Sequence, residues 1–157
     1  MMKKSLLLLA ALVLGGCATH WPESALLNPQ VIPSNQQYYS GNRITMEGVD
    51  KREAAYVFSI KKKEKAPVLV NSSQPLNSLL AEKLAEGLRS QGLEVGNSGT
   101  TNLTLAISTA AVTVEEKTFT YVTKSRVSLQ VIADFQGSKL TKQFNMSSCK
   151  ESPGEPC

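Results

Sequence analysis

The chain is poor in the residues on which most protein chemistry depends. Its 157 residues include one histidine, one tryptophan and three cysteines, and 6% are aromatic. Three cysteines are too few for a disulfide-stapled miniprotein framework. The lone histidine, His20, has no second metal ligand near it in sequence. No HExxH, GxSxG or CxxC pattern occurs. Charged residues make up 19% of the chain, too few for a disordered polyelectrolyte, and a net charge of +4 gives little reason to expect nucleic acid. Leu6 to Leu14 is an unbroken apolar run of nine residues. A permanent membrane-spanning helix needs about 20. The length suits one domain with a tail.

What is present starts at the N-terminus. Lys3 and Lys4 make a basic stretch, Leu6–Leu14 an apolar core, and Gly15-Gly16 a pair of small residues directly before Cys17. Charge, apolar length and small residues in that order describe a secretory leader. A cysteine after Leu14-Gly15-Gly16 resembles the lipobox of bacterial lipoproteins. In that class the thiol takes a diacylglyceryl group, the leader is cut before the cysteine, and the new amino group is acylated. The resemblance implies cleavage between Gly16 and Cys17, with covalent lipid, palmitate included, on Cys17. Several acyl chains give stable anchoring where one is marginal. Ala18 stands where Asp would resemble an inner-membrane retention signal, so the expected address is the outer membrane, facing the periplasm. Loss of Lys3 and Lys4 lowers the formal charge from +4 to +2.

The expected organisation is a leader over 1–16, a lipidated cysteine and flexible tether over 17–42, a domain over 43–147 and a proline-rich tail over 148–157. Pro22, Pro29 and Pro33 interrupt regular structure in the tether. Its span as a flexible coil is about 25–30 Å. Trp21 fits either a membrane-interface position or a plain exposed side chain.

In the domain, Ile44 and Met46 alternate with polar residues, as do Tyr56, Phe58 and Ile60, and Pro67-Val-Leu-Val70 forms a third apolar run. Leu76, Leu79, Leu80, Leu84 and Leu88 share one helical face. Ser72 and Ser73 are candidate caps and Gly92 a stop. Leu103, Leu105 and Ile107 have one parity, Val112 and Val114 the other, which predicts a β-bulge or bend near Ser108–Ala111. Phe119, Tyr121, Val127, Leu129, Val131, Ala133 and Phe135 share odd parity, and Gln136-Gly137-Ser138 makes a turn. The expected fold is a two-layer α+β domain, one main amphipathic helix packed on an antiparallel β-meander.

The lipobox Leu14–Cys17, the segment ITMEGVDKR over 44–52, the helix ending in Gln91-Gly92-Leu93-Glu94-Val95-Gly96, and the run from Thr123-Lys124-Ser125 to Thr141-Lys142 together resemble the YajG-type lipoproteins of gram-negative bacteria. The resemblance implies an uncharacterised outer-membrane lipoprotein with an α+β fold and transfers no catalytic residue. Family members continue past the last strand into a further amphipathic helix, whereas Pro153, Gly154 and Pro156 bar one here, so the resemblance implies either a C-terminally shortened member or a dispensable helix. Part of one sheet face should then be exposed and open to association or aggregation.

Cys149 and Cys157 form a candidate disulfide, with two free thiols as the alternative. Lys61, Lys62, Lys63 and Lys65 form either a solvated hairpin end or a contact patch for anionic lipid or acidic wall polymer. Neither catalytic nor metal-binding residues are expected, nor any cofactor or small-molecule substrate. Asp50 and Asp134 are the carboxylates that could meet in space. The expected role is a non-catalytic binding or assembly module of the envelope with a protein partner. The alternative is direct binding of peptidoglycan or anionic lipid through a basic surface made of Lys61–Lys65 and the polar strand face carrying Lys124 and Arg126.

Overall fold

The computed structural model describes residues 21–152. The elements run β1 (Ser24–Ala25), β2 (Arg43–Asp50), β3 (Tyr56–Lys61), β4 (Val68–Ser72), α1 (Leu76–Ser90), β5 (Glu94–Val95), β6 (Thr101–Glu116), β7 (Tyr121–Phe135) and β8 (Ser138–Glu151). Strand β6 organises the sheet. One of its edges pairs with β7, antiparallel, along the whole strand. Its other edge pairs with two strands in succession, both parallel: β2 against Thr101–Ile107, then β3 against Val112–Glu115. Antiparallel β4 extends the sheet from β3, and parallel β1 and β5 lie on β4 and β2. Strand β8 pairs antiparallel with β7.

The result is a curled mixed sheet carrying one helix among the described residues, which corrects the expected two-layer meander. Alternation reports that a strand has one solvated face; it does not report strand order. Here the segment from β2 to β6 makes a long crossover through α1, and a crossover returns the chain parallel.

The bulge appears where expected, with the β6–β7 register shifting between Ile107 and Thr109. Its consequence differs from expectation. The extra residue cancels the change of parity, so Ala110 pairs with Val127 as Ile107 pairs with Leu129, and the two apolar sets of β6 face the same way.

Helix α1 lies over β2, β5 and β6. Two glycines set its position. At Gly48 a Cβ would sit 2.2 Å from the Asn77 carbonyl oxygen, so only glycine lets the helix come this close. The Asn77 amide also donates to the Gly48 carbonyl at 3.0 Å. At the C-terminus Gly92 adopts φ +88°, and the amides of Leu93 and Gly92 donate to the carbonyls of Leu88 and Arg89. This is a Schellman stop. At the N-terminus Pro75 occupies the cap without a side-chain bond; Ser72 instead accepts from the Gln74 amide at 3.4 Å, so the serines are not the caps expected.

The core gathers Val57, Leu76 and Ile107, with Leu27, Phe58, Leu79, Leu80, Ala110 and Leu129 packed around them. On β3 the buried residues are Val57 and Ser59, while Tyr56, Phe58 and Ile60 are half-buried. The expected phase of β3 is thus reversed. A register shift against β4 falls between Tyr56 and Phe58, and Phe58 packs on the same core cluster that contains Val57, so neither face is fully solvated.

Residues 21–42, read as tether, touch the domain at several points. Strand β1 pairs with β4, Gln74 donates to the Leu27 carbonyl at 2.7 Å, the Ser34 amide donates to Ser90 Oγ, and the Tyr39 amide donates to the Gln91 carbonyl. At the other end β8 runs through Ser148–Glu151, into the stretch read as tail.

Candidate functional site

Paired residues of neighbouring strands point to the same side of a sheet. Gly48 faces the helix, and its row continues across the sheet through Leu105, Val131 and Lys142. Leu129 with Phe144, Val127 with Met146, and Ala133 with Leu140 therefore also lie on the helix side. The helix does not cover them all. Leu140 is 74% exposed, Met146 60% and Phe144 42%. At the boundary an apolar cleft of about 450 Å³ runs between Leu76, Leu79 and Leu80 of the helix and Val127, Leu129 and Met146 of the sheet.

The same region ends in an open strand edge. The β7–β8 turn has two residues, Gln136 and Gly137, with φ of 51° and 85°, and Phe135 pairs with Ser138. Positive φ at both central positions is the type I′ turn of a tight hairpin, whose closing pair is hydrogen-bonded. The register is unbroken to Val122↔Glu151. Hydrogen-bonded pairs alternate along such a ladder. The even-numbered residues of β8 thus bond to β7, and the backbone groups of Lys139, Thr141, Gln143, Asn145, Ser147, Cys149 and Glu151 point outward. Among the described residues no strand pairs with that edge.

The opposite face carries a groove of about 510 Å³. Thr113 on β6 pairs with Lys124, Ala111 pairs with Arg126, and Lys61 on β3 pairs with Glu115. This brings Lys61, Lys124 and Arg126 together against one carboxylate, Glu115, with Thr109, Thr113 and Ser147 beside them. Glu115 lies 3.6 Å from both Lys61 and Lys124.

The predicted lysine patch is therefore divided. Lys61 belongs to the groove, whereas Lys62 places Nζ 5.2 Å from the centre of the Trp21 ring. Lys63 and Lys65 are exposed on the β3–β4 loop. Cys149 is disulfide-bonded and lies at the groove; Cys157, Cys17 and Gly16 fall outside the described residues. Asp50 and Asp134 do not meet: they align with Ile107 and Asn102, five positions apart on β6, which is about 16 Å along a strand.

Each of those carboxylates has a local structural partner. Arg52 is held with its side chain 7% exposed, donating to Asp50 at 2.8 Å and to the Tyr56 carbonyl at 3.2 Å. The Arg52 hydrogen bonds hold the Asp50 carboxyl below the usual carboxylate range. Asp134 accepts from the Gly137 amide at 3.0 Å and sits 3.6 Å from Lys139. Glu151 is likewise lowered, first by its bond from Lys117 and then by that from Thr120.

Sequence reasoning missed Glu115 as the junction of the groove, and it misplaced Phe119 and Tyr121. These are 95% and 52% exposed at the β6–β7 turn, while the buried residue there is Val122. The register is unbroken from Glu116↔Tyr121 to Ala110↔Val127, so Tyr121 keeps the parity of Val127 but stands at the strand's end, where parity does not report burial.

A family model described as uncharacterized lipoprotein, Lipoprotein_16, matches residues 29–156. Among solved structures, protein XCC0632 from Xanthomonas campestris, of the DUF330 family, is similar at a TM-score of 0.51 and 9% identity, over 78% of this chain and 77% of that one. That likeness concerns the fold alone. A second crystal structure, of an uncharacterized protein, matches at a TM-score of 0.41 and 15% identity, over 71% of this chain and 76% of that one. No curated protein matches the chain.

Proposed function

Because the chain belongs to the YajG-type family of uncharacterised lipoproteins, we propose that it is anchored through lipid on Cys17 in the outer membrane, faces the periplasm, and works as a non-catalytic binding and assembly module of the envelope. The N-terminal residues support the address: Leu14-Gly15-Gly16-Cys17 with Ala18 next. The observation that carries the role is β8, a strand of 14 residues whose outer edge pairs with no strand among the described residues and which lies beside an exposed apolar face. An exposed edge of that length is a template for another strand, and proteins that do not use such an edge usually blunt or cover it. Here it fits an extended segment of an envelope protein, with main-chain bonds from the odd-numbered residues and apolar contact to Phe144 and Met146.

The test is photocrosslinking in living cells from a reactive side chain placed at Phe144 or Met146, with Glu82 on the exposed face of the helix as control. A discrete adduct from the two β8 positions and none from position 82 supports the role. Equal adduct patterns at all three positions, or none, reject it. Substituting Cys17→Ser tests the anchor separately, since it should release the protein from membranes.

A second reading is favoured by the groove. Lys61, Lys124 and Arg126 converge there with hydroxyl groups, an arrangement suited to acidic wall polymer. Salt-sensitive pelleting with purified peptidoglycan, lost in a Lys124→Glu/Arg126→Glu variant, would support it.

A further inference from the structure

We propose that the end of the sheet bearing the β3–β4 and β6–β7 turns is a rim that rests on anionic phospholipid headgroups beside the anchor. The inference depends on the lipidation of Cys17 proposed above.

Chain geometry brings the rim to the membrane. Trp21 is four residues from Cys17, and four extended residues span at most about 14 Å. Strand β1 then fixes where that short leash attaches. Ser24 aligns with Asn71 and Ala25 with Ser72, and the Asn71 amide donates to the Glu23 carbonyl at 3.1 Å. Carrying the parallel register back three residues sets Trp21 beside Val68, where β4 leaves the β3–β4 loop. The Lys62 ammonium over the Trp21 ring agrees with that placement.

The β6–β7 turn lies at the same end. Strand β3 runs parallel to β6, with Ile60 aligned to Val114 and Lys61 to Glu115, so both strands leave the sheet in the same direction. The rim therefore combines Trp21, the lysines of one turn and, on the other, Phe119, whose 95% exposure is unusual for a phenylalanine. Tyr121 stands next to it, half exposed. Aromatic side chains at headgroup level with flanking lysines are the usual furniture of a membrane interface.

The charges divide in the same sense. Lys61 and Lys124 share Glu115, and Lys117 is paired with Glu151. Lys62, Lys63 and Lys65 have no ion pair among the described residues. Glu64 and Glu116 oppose them, leaving one uncompensated positive charge from these five residues. That bias is small, so anionic lipid strengthens a contact that the anchor and the aromatic side chains establish.

Trp21 is the only tryptophan, which makes the test direct. The full-length lipidated protein is reconstituted into vesicles of phosphatidylcholine with phosphatidylglycerol, with and without bromine-labelled acyl chains. Two further proteins carry the probe elsewhere, Phe119→Trp and Leu140→Trp, each in a Trp21→Phe background. Leu140 lies near the β7–β8 turn, at the far end of the sheet. The rim predicts loss of most tryptophan emission to the bromolipid for probes at 21 and 119, and none at 140. A combined Lys62→Glu/Lys63→Glu/Lys65→Glu change should weaken the contact at 119 by about fivefold or more on anionic vesicles at low salt. Emission at 119 as unaffected as at 140 overturns the rim, provided the mass of the N-terminal peptide shows lipid on Cys17. An unmodified Cys17 overturns the anchor and the rim together.

Discussion

The helix-facing side of the sheet has two parts that share one residue pattern and differ in what covers them. Over β2, β5 and β6 the helix closes the surface: Ile107 is wholly buried, Leu105 is 2% exposed, and the backbone of Gly48 is in contact with the helix. Over β7 and β8 the same alternation continues outward through Phe144, Met146 and Leu140, and these stay exposed. A helix of 15 residues is about 22 Å long and covers only the strands it crosses. The difference teaches that alternation marks a face as suited to burial without saying that this chain buries it. We read the covered part as the fold and the bare part as a surface for a partner.

Substitutions separate the two parts. The largest effect is expected from Ile107→Ala, which removes a fully enclosed side chain and should destabilise by about 2–5 kcal/mol in denaturant titration. Gly48→Ala comes next, at about 1–3 kcal/mol, because the new methyl group must displace the helix backbone. Should Gly48→Ala prove neutral, the close helix contact that defines the covered part is wrong. On the bare part Phe144→Ser should change stability by about 1 kcal/mol or less, since the ring is already 42% in water, yet should diminish crosslinking from Met146. A loss as large as that of Ile107→Ala would instead make Phe144 a core residue and erase the contrast.

The smallest expected effect concerns pH. Asp50 has a lowered folded pKa, so its contribution is present above the unfolded value of 3.8 and is lost as pH falls through the folded value. Replacing Arg52 by Ala removes the cause. Thermal melts from pH 5 to pH 2 should therefore show a shallower acid decline for Arg52→Ala than for the parent, on a lower baseline.

Much of this molecule can be read from its sequence, within limits that have physical causes. The leucine repeat of Leu76–Leu88 and the stop at Gly92 locate the helix because helix ends and faces are local properties. The parity change at Ser108–Ala111 identifies a bulge for the same reason. Strand order is a long-range property, and nothing in the alternation of β2 or β3 says that both lie along one edge of β6. The candidate sites divide in the same way. A bare apolar face was expected from the prolines after β8, and Lys124 and Arg126 were expected in a basic surface with the Lys61–Lys65 run, while the way they meet Lys61 around Glu115 depends on parallel pairing between β3 and β6, which spacing does not report. The same pairing sends Lys61 to the groove, while Lys62 meets Trp21, which the pairing of β1 with β4 brings alongside.

Pairing of a partner strand with the outer edge of β8 is probed best with proline. Asn145 is an outward-facing position, so Asn145→Pro removes a backbone amide that β7 does not use, at the cost of the exposed side-chain bonds that Asn145 accepts from Ser128 and Gln143, and edge strands tolerate proline there. The measurement is the yield of the Phe144 crosslinked adduct in cells carrying this change, with the denaturation midpoint of the purified protein recorded alongside. Strand pairing at this edge requires a midpoint close to that of the parent and loss of the adduct. An adduct that persists at parental yield in a folded Asn145→Pro protein would contradict it.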